Sequence, residues 1–231
     1  ECIIRYGTPG QLNAESIQKQ TPALINILHG ICDDPNYLRE AYAYLLGMYL
    51  GDGSISKMPR VYRLRISLDA DYPNIIQCCQ SALQKLLPEN TTSLVENYYQ
   101  GELSYIDASA YYKHWTLVFP QHDEGMKHNR PIILEAWQQQ IVEAFPLEFF
   151  RGLYHSDGSR YINMVKGIRY PRYQFVNKSV DIIRLFTDTC DRLNLHWTSK
   201  IRSVSAGGAY DIFISRRPDV AFLDQHIGPK S

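Results

Sequence analysis

"YLLGMYLGDGSIS" (Tyr44–Ser56) ends an apolar run abruptly in Gly-Asp-Gly, and nearly the same thing recurs as "FFRGLYHSDGSR" (Phe149–Arg160). Read as a helix, Leu38–Gly51 carries an apolar stripe of Ala41, Tyr42, Leu45, Leu46 and Tyr49. An anion at the C-terminus of such a helix opposes its dipole by about 0.3–1 kcal/mol. Small residues also repeat in register: Gly47 and Gly51 lie four apart, as do Gly152 and Ser156. Glycine inside a helix costs roughly 1 kcal/mol relative to alanine. Two copies of that cost in one register imply that the two motif helices pack with their backbones unusually close. Gly53 and Gly158 are then expected as left-handed C-terminal caps that turn the chain into a strand.

Such packing brings Asp52 and Asp157 together at one end of the helix pair. They would repel one another as well as the dipole. A divalent cation removes both objections, since hard carboxylate oxygens suit Mg²⁺. Carboxylates that bridge metal ions beside a basic surface point to phosphodiester hydrolysis. One Asp-Gly alone would be ordinary turn chemistry; the matched second copy argues against that.

The duplication extends well beyond the motifs. Asp52 and Asp157 are 105 residues apart, and each motif leads into a basic, strand-like segment. In "YRLRISLDADYP", Arg63, Arg65 and Ser67 alternate with Leu64, Ile66 and Leu68; in "RYQFVNKS", Gln174 opposes Tyr173 and Phe175. An amphipathic helix follows in each half, one capped by Asp71 with Pro73 in its first turn, the other starting near Ser179. Two more strand-like runs come next: Ser93–Tyr99 with Glu102–Ala108, and His196–Val204 with Tyr210–Ser215, the latter pair joined by the turn signal "SAGGA". Even the ends echo, as "QHDEGMK" (Gln121–Lys127) and "QHIGPK" (Gln225–Lys230). Lys127 and Lys230 therefore stand 75 and 73 residues after their motif acids, a matched pair of candidate catalytic cations. Asn177, just before the second-half helix, is a candidate for positioning water; its first-half counterpart is either Asp69 or Ala70. Asn129–Phe145 is expected as a helix joining the halves, and Pro22–Ile31 holds a short helix candidate.

The chain has 231 residues and 45% hydrophobic content, enough for one large or two small domains with real cores. No apolar run approaches the roughly 20 residues that span a bilayer. Five cysteines, without a Cys-x-x-Cys pair, argue against a zinc site and for an intracellular, reducing compartment, cytoplasm or organelle, rather than secretion. Cys78, Cys79 and Cys190 read as buried small hydrophobes. Net charge is zero, which alone counts against a nucleic-acid partner. The distribution matters more. Lys57, Arg60, Arg63 and Arg65 form one acid-free basic stretch; Arg160, Lys166, Arg169, Arg172 and Lys178 form another. A stripe of this kind is what phosphates feel. With Ser67, Gln174, Lys200 and Arg202, these are the candidate DNA-binding residues.

The residues Leu45–Gly53, "LLGMYLGDG", and Phe150–Gly158, "FRGLYHSDG", resemble the nine-residue motif of the LAGLIDADG homing endonucleases, specifically the single-chain members with two copies. The resemblance covers about residues 38–231. It departs where the family often has its first Asp: Leu50 and His155 stand there. The resemblance implies an α+β fold of two pseudo-twofold related αββαββα half-domains, 38–145 and 146–231, after an N-terminal extension, 1–37, of unknown role. It implies motif helices at the interface and antiparallel sheets forming a DNA-binding saddle. It further implies that Asp52 and Asp157 bind metal, that the backbone carbonyls of Gly51 and Ser156 add contacts, and that a basic residue sits beside the scissile phosphate. The implied activity is double-strand cleavage of a long, non-palindromic duplex by a monomer with Mg²⁺, for which Mn²⁺ substitutes. Two alternatives use the same fold: an RNA-splicing maturase and a non-cleaving DNA-binding regulator, the latter disfavoured because both acids are present.

Overall fold

The structure is a computed structural model and describes residues 23–30, 36–203 and 208–231. The elements run α1 (Ala23–Leu28), α2 (Asn36–Asp52), β1 (Gly53–Lys57), β2 (Tyr62–Asp69), α3 (Pro73–Leu86), β3 (Thr92–Tyr99), β4 (Glu102–Tyr112) and α4 (Trp115–Val118). After a single 3₁₀ turn (Lys127–Asn129) come α5 (Ala136–Ala144), α6 (Pro146–Asp157), β5 (Gly158–Val165), β6 (Ile168–Asn177), α7 (Val180–Arg192), β7 (Trp197–Ile201), β8 (Tyr210–Ile214) and α8 (Arg217–His226). From α2 and again from α6, the order is αββαββα.

Each half builds one four-stranded sheet from antiparallel pairs, in the order β1-β2-β4-β3 and β5-β6-β8-β7. The period-two reading of β2 holds: Leu64, Ile66 and Leu68 are buried, while Arg63, Arg65 and Ser67 take the other side. In β6, Tyr173 and Phe175 are likewise buried. Helices cover one face of each sheet and leave the other open. The second core is locked by Phe175 stacked on Phe186 at 4.1 Å, the first by Tyr49 stacked on Phe119 at 4.5 Å.

Between the sheets, α2 and α6 pack along their length. Every residue of α2 from Ala41 to Leu50 is buried, so the helix is apolar all round rather than merely striped. The small-residue register has the physical meaning expected of it. A methyl group on Gly152 would lie 2.1 Å from the Tyr44 carbonyl, and one on Gly47 2.6 Å from the Leu153 nitrogen. Neither backbone could retreat without opening the interface.

Several local expectations are corrected. Gly53 and Gly158 are not left-handed caps: Gly158 has φ −90° and ψ 163°, and Gly53 is likewise outside the positive-φ set. They are glycines because a Cβ would collide with the preceding turn, 2.5 Å from the Tyr49 Cα and 2.2 Å from the Tyr154 ring. The N-cap of α3 is Tyr72, not Asp71. The joining helix is shorter than Asn129–Phe145: Arg130 precedes Pro131 and is extended (φ −143°, ψ 156°), and Glu135 with Gln138 forms the capping box that starts α5. Cys78 is exposed, whereas Cys79 and Cys190 are buried. In the extension, whose role the sequence left open, Ile25 and Leu28 of α1 enter the core and His29 stacks on Trp137 at 4.7 Å. Most of the "SAGGA" turn lies outside the described residues.

Candidate functional site

Asp52 and Asp157 are the last residues of α2 and α6, and the close approach of those helices sets them side by side. A Cβ on Gly51 would meet the Ser156 side chain at 2.2 Å and the Asp157 Oδ2 at 2.9 Å. Only glycine at this step leaves room for the opposite acid. Burial, reinforced by the Asp157 charge, pushes the Asp52 carboxyl up to about 6. Asp157 is also raised by burial, but Asn177 restrains it by donating from Nδ2 to Oδ2 at 2.8 Å.

The two repeat-paired lysines arrive at equivalent points. Lys127 Nζ donates to the carbonyls of Tyr49, Gly51 (3.1 Å) and Gly53 (2.6 Å); Lys230 Nζ donates to the Ser156 carbonyl at 2.8 Å. Gly51 and Ser156 each immediately precede a motif acid. The lysines thus supply cations to helix C-termini whose final residues are anions. Desolvation lowers Lys127 to about 8 and lowers Lys230 as well, while both aspartates work against the shift.

The donor set fits a hard divalent cation. It offers two carboxylates whose ionised forms are disfavoured without a counter-charge, and carbonyl oxygens at two helix ends, with no nitrogen or sulfur donor among them. Among the described residues, no cluster of three or more His, Cys, Asp or Glu side chains could hold a metal. The remaining ligands would have to be water or phosphate, as is usual for Mg²⁺. A cation would share the Gly51 and Ser156 carbonyls with the lysines. His155 is not part of this set: its Nδ1 lies 3.1 Å from the Tyr44 hydroxyl, and burial holds it down to about 3, so it is a neutral packing residue across the helix interface.

A cavity of about 530 Å³ opens beside the acids and is lined by Lys127, Asp157, Asn177, Lys178 and Arg202. The open face of the second sheet reaches it through Val176 and Arg202, and each sheet carries polar contacts on its open face. On the first, Arg63 donates to Ser109 (3.2 Å), and Ser67 donates to Asp107 (2.6 Å) with Arg65 nearby at 3.8 Å. On the second, Asp211 accepts from Gln174 (2.6 Å) and from both arms of Arg202 (2.9 and 2.7 Å), and Arg172 lies over the Phe213 ring at 5.4 Å. Lys200 pairs with Asp211 in the β7–β8 register and so shares this face. Lys166 is at the tip of the β5–β6 hairpin with φ 50°, and Arg60 is exposed in the β1–β2 turn.

Three expected members of the basic surface lie elsewhere. Arg160 stands opposite Tyr173, on the helix-covered face, and makes a bidentate pair with Asp224 of α8 at 2.6 and 2.8 Å. Strand alternation puts Arg169 on the same side as Tyr173, and Lys57, paired with Tyr62, on the side of Ile55. Conversely, Asp107 and Asp211 went unnoticed in the sequence. Both are buried on open faces, where each orients a polar neighbour. They stand 55 and 54 residues after their motif acids, so extending the repeat to "YIDAS" and "AYDIF" would have found them.

No family model and no curated protein sequence matches this chain. Solved structures do. The homing endonuclease I-DmoI in complex with DNA and Mn has TM-score 0.55 and 19% identity, over 83% of this chain and 97% of that one. An I-DmoI variant with its target DNA in the presence of Mg has TM-score 0.57 and 18% identity, over 84% and 98%. The N-terminal LAGLIDADG domain of WhiA has TM-score 0.51 and 16% identity, over 90% and 89%. At these identities the likeness is one of fold: the mixed α+β, two-sheet LAGLIDADG architecture.

Proposed function

We propose that this chain is a metal-dependent DNA endonuclease that cuts both strands of a specific duplex as a monomer. The observation that carries the reading is the pair of buried carboxylates, Asp52 and Asp157, held together at the ends of two helices in backbone contact and flanked by Lys127 and Lys230. A purely structural helix pair gains nothing from two unfavourable anions at its ends. The solved I-DmoI complexes with DNA and Mn or Mg support the same reading.

In this reading the open sheet faces bind DNA through Arg63, Arg65, Arg172, Lys200 and Arg202, and Asp107 and Asp211 hold the polar readers in fixed geometry. Asp52 and Asp157, with the Gly51 and Ser156 carbonyls, would hold Mg²⁺ or Mn²⁺. Such an ion, when bound, would supply an activated water and neutralise charge on the leaving oxygen. Lys127 and Lys230 hold positive charge beside the acids, where charge develops on the phosphate. Asn177 keeps Asp157 in one orientation.

The test is recovery of duplexes from a randomised pool on immobilised protein, followed by incubation with Mg²⁺. The expected result is enrichment of one sequence and cleavage of both its strands, with Asp52→Asn protein retaining the duplex uncut. Retention without cleavage by the unaltered protein would favour a non-cleaving DNA-binding role on the fold shared with WhiA. Preference for RNA over duplex DNA would favour a maturase.

A further inference from the structure

The open face of the first sheet has two chemically different ends. Residues paired across antiparallel strands share a face. The register therefore sets Arg63, Arg65, Ser67 and Asp69 of β2 beside Tyr111, Ser109, Asp107 and Tyr105 of β4, and Val95 of β3 beside Asp107. Strand alternation adds Leu103 to this face, two residues before Tyr105. The cations Arg63 and Arg65 occupy one end. Leu86–Tyr112, which includes all of β3 and β4, contains four acids and neither lysine nor arginine. The second sheet is built differently, since Lys200 of β7 and the adjoining Arg202 reach its open face. Val95 is 43% exposed, Leu103 40% and Tyr105 41%, so three neighbouring apolar side chains stand free at the end without cations. That end has nothing to neutralise a phosphate, and Asp69 and Asp107 beside it would repel one. It is continuous, however, with the face that carries Arg63 and Arg65. In the major groove of a duplex the bases are stacked, and only their edges are open. The apolar group on those edges is the C5-methyl of thymine.

We propose that Val95, Leu103 and Tyr105 read thymine methyl groups, so that the half-site bound by the first sheet requires thymine at two or three closely spaced positions. This rests on the DNA-binding part of the reading above and not on cleavage.

The experiment replaces single thymidines of a duplex recovered from the randomised pool with deoxyuridine, which removes only the methyl group. Affinity is read by competition without divalent metal, so that nothing is cut. Arg63→Ala, which should alter preference in the same half-site, identifies that half. There, each replacement at the thymine positions should weaken binding about 4-fold, the scale of one buried carbon. Val95→Ser, Leu103→Ser and Tyr105→Ser change exposed side chains and should melt normally. Each should abolish the penalty at one position, binding the thymine and uracil duplexes alike. A penalty absent throughout that half-site, or unchanged in all three variants, would overturn the thymine assignment. So would a dimer in sedimentation that Leu103→Ser dissociates, which would give the patch to a second copy of the chain. A methyl penalty on a duplex that is never cut would support the assignment and overturn the endonuclease reading alone. Recovery of no duplex would overturn both.

Discussion

Asp52 is held in a folded state that disfavours its charge. Its carboxyl lies near 6 when folded, against an ordinary value of 3.8. A raised carboxyl means that the native state binds the extra proton. Its relative stability is complete below about pH 4 and is lost as pH rises through 6. At pH 7.5 without metal, Asp52→Asn should therefore be more stable than the unaltered protein, by about 3 kcal/mol. The difference should shrink toward zero near pH 4, as read by denaturant titration across pH. Mg²⁺ should raise the melting temperature of the unaltered protein, because a ligand of the native state stabilises by mass action, and should do so much less in Asp52→Asn. A metal-independent melting temperature in both would count against Asp52 as a ligand. The same substitution should abolish cleavage and spare binding, which separates the acid's chemical role from its cost to the fold.

The paired helices α2 and α6 depend on contacts that admit no added atom. Gly152→Ala places a methyl 2.1 Å from a backbone carbonyl that cannot rotate away. Overpacking of this kind costs typically about 1–3 kcal/mol, so the melting temperature should fall by about 2–10 °C. Any cleavage that survives should be slower, because the helix ends set the distance between the acids. The strands offer a second comparison. Arg160→Ala removes the bidentate pair with Asp224 on the helix-covered face; it should lower stability by about 1 kcal/mol, the scale of a charged hydrogen bond outside the core, and leave sequence preference intact. Arg172→Ala removes a residue of the open face and should alter preference at one or a few base pairs while melting normally. Selection from the randomised pool distinguishes them, and a changed preference in the Arg160 variant would mean that its strand is misassigned.

A molecule with no net charge still binds a polyanion if its charges are segregated. Arg63, Arg65, Arg172, Lys200 and Arg202 gather on the open faces, with Lys178 at the cavity; there Arg65 and Arg202 pair with Asp107 and Asp211, whereas Arg160, Arg151 and Arg192 pair with acids away from those faces. Engagement of three to six of these cations with phosphates gives a log–log salt slope between about −3 and −5. Titration of a selected duplex at several salt concentrations measures it, and a slope near zero would mean that the open faces are not the DNA surface.

Much of this arrangement is written in short-range pattern. The doubled Gly-Asp-Gly motif, the four-residue spacing of small residues and the strand alternation determine two αββαββα halves, their helix interface and the juxtaposition of Asp52 with Asp157. These follow because helix and strand periods are properties of a few consecutive residues. The equivalence of Lys127 and Lys230 was legible in the echo of their flanking residues, but not that both reach the carbonyls preceding the motif acids; that depends on where a turn and a C-terminal tail fold back. Tertiary structure alone decided which basic residues are matched. Arg160 looks like any other arginine of its stretch until Asp224, 64 residues later, is brought beneath it. It also decided why Gly53 and Gly158 are glycines, since the obstacle is a tyrosine of the preceding turn rather than their own dihedral angles. The first-half counterpart of Asn177 is neither Asp69 nor Ala70 but Leu68, because the pairing register of β2 and β6 with their neighbours, not the turn that follows, decides which residue faces the helices, and only the geometry shows that Asn177 reaches its acid.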